Sequence, residues 1–178
     1  MVDAAIELMR ASGLSGAGIN EIVRASSAPK GSVYHFFPAG KQQIVAESLD
    51  VYSGRVMAFI EQALARDGVP GERVRRLFEA FARRVEEGRF QRSCAFGAVC
   101  LDLDASLDGL RGVVEAAFDD WRGLIARYVD LGEPRRTRSY AGLVLTAIEG
   151  AYIRARAERS GRPFREAGEW LAVLAGAG

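Results

Sequence analysis

Lysine and histidine are nearly missing from this chain. Of its 24 basic residues only Lys30 and Lys41 are lysine, and His35 is the one histidine. Metal sites built on several imidazoles are thereby excluded. The two cysteines, Cys94 and Cys100, are too few for a disulfide framework, which predicts a reducing, cytoplasmic setting. No basic segment leading into an apolar one opens the chain, so no secretory leader is expected. The longest apolar run, "LVLTAI", stops before Glu149, far short of the roughly 20 residues of a membrane span. Charge of one sign is lacking too: the formal net charge is +1, and residues 1 to 50 carry four Lys/Arg against five Asp/Glu. Any surface for a polyanion must therefore be local.

What is present is helical periodicity over a length, 178 residues, that allows one extended domain or two unequal ones. Val2, Ala5, Ile6 and Met9 repeat at i, i+3, i+4, i+7 and end at Gly13, a helix followed by its stop. A second, short stripe (Ile19, Ile22, Val23) breaks at "SSAP", and a third helix begins at Pro29, turns Val33 and Phe37 inward and closes at "PAG". From Lys41 to about Arg66 runs a helix of about 38 Å, long enough to tie a small N-terminal module to a larger body. "DGVPG" at 67 to 71 is the clearest break. Further stripes follow: Val74 to Val85; a short one from Ser93 to Leu101; one through Leu110, Trp121 and Tyr128; one over 137 to 159; and one from Phe164 to Leu174. The expectation is an all-α chain of about nine helices.

Chemistry concentrates in "PKGSVYHFFPAGK", residues 29 to 41. Helices over 19 to 25 and 29 to 36, joined by a three-residue turn, have the arrangement of a helix-turn-helix, whose second helix enters the major groove. With Val33 and Phe37 inward, the remaining groups suit a nucleic acid. Lys30 and Lys41 are point charges for phosphates, Ser32 and Tyr34 carry hydroxyls, Gly31 permits close backbone approach, and His35 can donate or accept. Tyr34 and Phe36 read equally well as packed aromatics of any helix pair.

The stretch "GINEIVRASSAPKGSVYHFFPAGKQQI", residues 18 to 44, resembles the DNA-binding signature of TetR-type transcriptional repressors, with "KGSVYHFF" its most specific part. "PAGK", "CAFGAVCLDL" and "AIEGAYIRARAERSGRPF" resemble the LmrA-type branch. The resemblance implies a three-helix DNA-binding domain over 1–45 and a ligand-binding and dimerisation domain over 46–178, with the long helix as connector. It also implies a homodimer on a palindromic operator in double-stranded DNA, with Lys30, Gly31, Ser32, Tyr34, His35 and Lys41 as contacts, and a small-molecule effector that releases the operator by tilting the connector. The chain departs from the family where Ala17 and Gly18 replace the usual Thr or Ser that opens helix 2.

Candidate effector contacts are Phe78, Phe81, Phe96, Cys100, Phe118, Trp121, Tyr128 and Tyr152, which lie on apolar stripes and fit an apolar or aromatic ligand as well as an ordinary core. Glu149 interrupts "LVLTAIEGAYI", and a carboxylate buried there needs a partner: an arginine of the dimer mate, or a cationic or hydroxylated ligand. Small residues on the last two helices suggest a self-association surface of Ala147, Ala151, Ala155, Phe164, Ala167, Leu171 and Leu174; the same stripe could close a monomer's core. Cys94 and Cys100 read as buried apolar residues, since six residues along one helix is about 9 Å, beyond disulfide reach. "DASLDGLRGVVE", residues 104 to 115, nearly fits a calcium loop but carries Arg111 where an apolar residue belongs, so it reads as a capped helix start. No cofactor or metal is expected. An enzyme would need a nucleophile, metal or phosphate-loop signature, none of which is here. The alternative to a repressor is a helical ligand-binding or protein-interaction subunit with a weak or lost DNA-binding head.

Overall fold

The computed structural model describes residues 1–29, 31–103 and 108–176. Among them the regular structure is all helix, in nine elements: α1 (Val2–Ser12), α2 (Ile19–Ser26), α3 (Ser32–Phe36), α4 (Lys41–Leu64), α5 (Pro70–Glu87), α6 (Ala95–Leu101), α7 (Asp108–Tyr128), α8 (Pro134–Glu158) and α9 (Arg162–Gly176). They form two compact units, one of Met1–Arg55 with Ser93–Ala117, the other of Val56–Arg92 with Phe118–Gly178. No helix among the described residues is long and apolar enough to cross a membrane.

The first unit is organised by a small apolar cluster of Ala5, Ile22, Val33, Phe37 and Ile44, flanked by Met1, Val2, Leu8, Ile19 and Val23. Each of the first four helices contributes to it, and α1, α2 and α3, of 11, 8 and 5 residues, are too short to be stable without such packing. Gly13, at φ +73°, ends α1 and returns its amide to the Met9 carbonyl, a conformation other residues adopt only at a cost. α2 starts at Gly18 without a side-chain cap and ends at Ser27 in the left-handed region. α6 is laid beside α1 by a pair of bonds: the Ser93 amide donates to the Arg10 carbonyl at 2.8 Å, and Arg10 Nε to the Ser93 carbonyl at 3.1 Å.

α3 begins at Ser32, three residues later than the periodicity predicts. The reason lies in Pro29. Its carbonyl accepts both the Ser32 amide (3.0 Å) and the Ser32 hydroxyl (2.6 Å), so the proline makes a turn before the helix instead of its first turn.

In the second unit α9 lies along α5 and against α8. Two glycines set that closeness: a Cβ on Gly168 would stand 2.6 Å from Phe78 Cβ, and one on Gly71 would stand 2.8 Å from the Ala172 carbonyl oxygen. Phe78 and Phe164 are fully buried, each worth about 2 kcal/mol or more in removed apolar area. Phe81 stacks on Phe164 with ring centroids 5.8 Å apart, and Tyr152 meets both rings edge-on. At the rim, Arg165 of α9 reaches two carboxylates of α5, with Nε 2.8 Å from Glu79 and Nη1 2.7 Å from Glu86. Those bonds hold both carboxyls below their ordinary range, against the opposing effect of burial. Tyr140 donates to the Leu171 carbonyl at 2.6 Å, and burial pushes its phenol up to about 12.

Candidate nucleic-acid interface

α2 and α3, separated by residues 27 to 31, form the helix-turn-helix. Val33 and Phe37 fix α3 to the cluster beneath, being 0% and 7% exposed, so the residues between them must face outward. Tyr34 and Phe36 are 64% and 61% exposed, and His35 is exposed with its ring edge-on to Phe36 at 4.8 Å. Two bare aromatics on a helix of five residues mark a surface that expects a partner. Gly31 is exposed and Ser32 half-buried. Because the Ser32 hydroxyl donates to Pro29, it offers an outside partner lone pairs rather than a proton. Lys30 lies outside the described residues.

Lys41 is placed otherwise than as a bare phosphate clamp. It is half-buried, and its Nζ donates to the Leu14 carbonyl at 3.0 Å; an ammonium keeps further donors beyond that one. The amides of Leu14 and Ser15 donate to Asp102 Oδ2 at 2.8 and 3.2 Å. The α1–α2 turn is thus gripped by α4 and by the residue that closes α6. Nothing in the sequence linked Asp102 to a turn 88 residues away.

The candidate effector contacts divide between the units. Phe78, Phe81 and Tyr152 are buried in the aromatic cluster of the second unit, which Phe59 joins by meeting Phe81 at 4.9 Å. Trp121 is buried, with half-buried Phe118 edge-on to it at 5.4 Å. Half-buried Tyr128 donates to Glu61 at 3.0 Å, which raises its phenol pKa. Phe96 and Cys100 belong to the first unit, where Phe96 stacks near Tyr52 at 6.2 Å. Two expectations need correction. Cys94 is buried but Cys100 is exposed, because α6 turns Ala95, Phe96 and Val99 inward and leaves Cys100 on the other side. Glu149 is half-buried instead of sealed. Of the calcium-loop stretch, residues 104 to 107 lie outside the described residues, and the chain is helix from Asp108.

The small-residue stripe on α8 and α9 is also corrected in part. Ala151, Ala155, Phe164 and Leu171 are buried within the chain, Ala147 and Ala167 are half-buried, and only Leu174 is exposed. The small residues serve the contact of α9 with its neighbours in the same chain, as Gly168 against Phe78 demonstrates. The opposite faces carry apolar residues that sequence reasoning passed over: Leu143 and Ile153 on α8, and Trp170 and Val173 beside Leu174 on α9, from 46% to 73% exposed. Spacings of i, i+3, i+4 on α9 make these one stripe.

Comparison with known proteins assigns the class. Residues 1–48 match the family of bacterial regulatory proteins typified by TetR, and residues 70–170 match the C-terminal domain of LmrA/YxaF-like transcriptional regulators. An uncharacterized HTH-type transcriptional regulator of Mycobacterium tuberculosis is 31% identical over 170 residues, covering 92% of this chain and 86% of its own. Among solved structures, the regulatory protein TetR from Rhodobacter sphaeroides matches with a TM-score of 0.86 at 21% identity, over 97% of this chain and 95% of that one. The regulator CifR, bound to a 26-base-pair operator duplex, matches at 0.83 and 18% identity, over 97% and 93% of the two chains. The chain is a transcriptional regulator of the TetR family, with a helix-turn-helix DNA-binding head. Within that family its C-terminal domain is of the LmrA/YxaF type.

Proposed function

We propose that the protein is a dimeric, cytoplasmic repressor that leaves its operator when a small apolar or aromatic effector binds, with residues 1–45 as reading head and 46–178 as effector and dimer domain. The observation that carries the DNA reading is the outward row Tyr34, His35 and Phe36 over the buried pair Val33 and Phe37. Gly31 and Ser32 bring backbone and hydroxyl oxygen to the duplex, Tyr34 and His35 reach base edges or phosphates, and Lys41, with Lys30, contacts phosphates. The exposed stripes of α8 and α9 support a two-fold interface built on Leu143, Ile153, Trp170, Val173 and Leu174, since an apolar stripe of this kind is covered in most soluble oligomers. CifR, in complex with operator DNA, is the precedent for the head's partner.

The aromatic cluster of Phe78, Phe81, Tyr152 and Phe164 is where an aromatic effector finds complementary faces, with Trp121, Phe118, Tyr128 and Glu149 as further contacts of the same unit. Effector binding acts on the dimer by changing the spacing of its two heads, and half-site spacing is a geometric condition of binding. The test is a mobility shift of the DNA upstream of the protein's own gene at low salt. A specific shift is expected, weakened by Tyr34→Ala, with the slope of log affinity against log salt smaller by about one in Lys41→Ala. No shift at micromolar protein, or variants that bind as the parent does, would overturn the reading.

A further inference from the structure

The last turns of α4 and one face of α5 enclose an open groove of about 730 Å³ that lies among none of the residues assigned above to DNA, effector or partner. Its lining holds five arginines, Arg66, Arg75, Arg76, Arg83 and Arg84, against two glutamates, Glu79 and Glu87. The excess is not evenly spread. At one end Arg83 is paired with Glu79 at 3.1 Å, Arg84 lies over the Phe59 ring at 4.7 Å, and Glu87 sits within a turn of both along α5. That end is balanced.

The other end begins eight residues earlier on α5, about 12 Å away along the helix. There Arg76 Nη2 donates to the Arg66 carbonyl at 2.6 Å, drawing the arginine pair of α5 up to Arg66, two residues beyond the end of α4. Arg75 holds Glu169 at 2.8 Å, whereas Arg66 and Arg76 have no ion pair among the described residues. Glu72 directs its carboxylate to the Val69 amide at 3.2 Å. Arg76 Nε is cut off from solvent and has no acceptor, which is costly for a charged donor. Of these three guanidinium groups only Arg75 has an ion pair among the described residues, which leaves a local excess of positive charge, and their planar forks match carboxylate and phosphate oxygens in pairs. Between the two ends the lining is Ala63, Ala80 and Phe59, with Gln62 of α4 its one uncharged polar side chain.

We infer that this groove binds an organic acid with a flat apolar body. Arg66, Arg75 and Arg76 take the carboxylate or phosphate, and the body lies over Ala63 and Ala80 toward Phe59 with its stacked Arg84. The site is separate from the aromatic cluster proposed for an effector, although Phe59 touches that cluster through Phe81. It does not depend on the DNA reading.

The test is calorimetric titration of the full chain with 2-naphthoate, 2-naphthyl phosphate and neutral 2-naphthamide. At least one anion binds saturably below about 1 mM, about tenfold or more tighter than the amide; which of the two is tighter separates a carboxylate ligand from a phosphate one. Arg66→Gln with Arg75→Gln weakens the anions by about tenfold and leaves the amide unchanged. These arginines are exposed, and Ala80→Trp, which fills the floor, abolishes anion binding by an independent route. Naphthamide binding as tightly as naphthoate, anions that bind the arginine variants as they bind the parent, binding that survives Ala80→Trp, or no saturation by either anion each overturn the assignment.

Discussion

The surface proposed for DNA and the groove between α4 and α5 use opposite means to attract anions. The α3 surface is poor in charge: among the described residues its one cationic side chain is Lys41, already bonded to the Leu14 carbonyl, and Tyr34 and Phe36 stand exposed on it. The groove gathers five arginines. The contrast follows from what each partner brings. A duplex carries a charge about every 1.7 Å and is bound by two heads at once, so a few well-placed donors and a shape that enters the groove are enough. A small acid brings one or two charges, and the protein must collect the matching cations at a single point. On the proposed reading, the head is marked by bare aromatics over a buried pair and not by charge density.

The contrast can be broken in several ways. The largest effect is expected from Trp170→Glu with Leu174→Glu, which should give a monomer in sedimentation and lower operator affinity by about 100-fold or more, because a charge-poor head binds well only in pairs. A monomer that still binds DNA tightly would mean the head needs no doubling. Tyr34→Ala should weaken the operator complex about tenfold, near 1.4 kcal/mol, while Arg66→Gln leaves it within about twofold. The reverse ranking, measured by fluorescence anisotropy, would move DNA recognition to the groove.

A smaller effect is expected from Arg165→Ala. Arg165 holds the Glu79 and Glu86 carboxyls below the ordinary glutamate range, so its contribution is present above that range and is lost as pH falls through the depressed folded values. Thermal melts of parent and variant should therefore differ most near pH 7 and converge on acidification. Loss of this partner also leaves Glu79 less neutralised at the groove wall, and naphthoate binding should weaken. Smallest is Gly18→Ser, which supplies the missing cap of α2 at φ −70° and ψ 155°, a backbone open to any residue. The gain is a few tenths of a kcal/mol, a rise in Tm of about 1 °C, provided the flexible end of Glu21 moves aside.

The helices were legible because burial repeats with the helical period, as in Val74, Leu77, Phe78, Phe81 and Val85 along α5, each buried. The α3 start was not, because the sequence shows that Pro29 can open a helix but not that its carbonyl is claimed by Ser32. The stripe on α8 and α9 was seen, but small residues look alike whether they face a second copy or, as Gly168 does, a phenylalanine of the same chain. Exposed Trp170 and Val173 were passed over because large apolar residues on the last helix read as core. The arginine groove was hidden for another reason. Its residues come from both sides of "DGVPG", and arginines on the polar side of an amphipathic helix read as a solvated face.

Lys41 holds a further consequence. A lysine free in solvent surrenders up to about 2 kcal/mol of rotamer freedom when a ligand fixes it. With Nζ resting on the Leu14 carbonyl, and Leu14 itself held through its amide by Asp102, much of that freedom is already gone before any duplex arrives. Folding, rather than association, absorbs the loss. On the proposed reading, in which this ammonium takes a phosphate, it would do so as a preset group, and Asp102 would become a determinant of how favourable the entropy of DNA binding is.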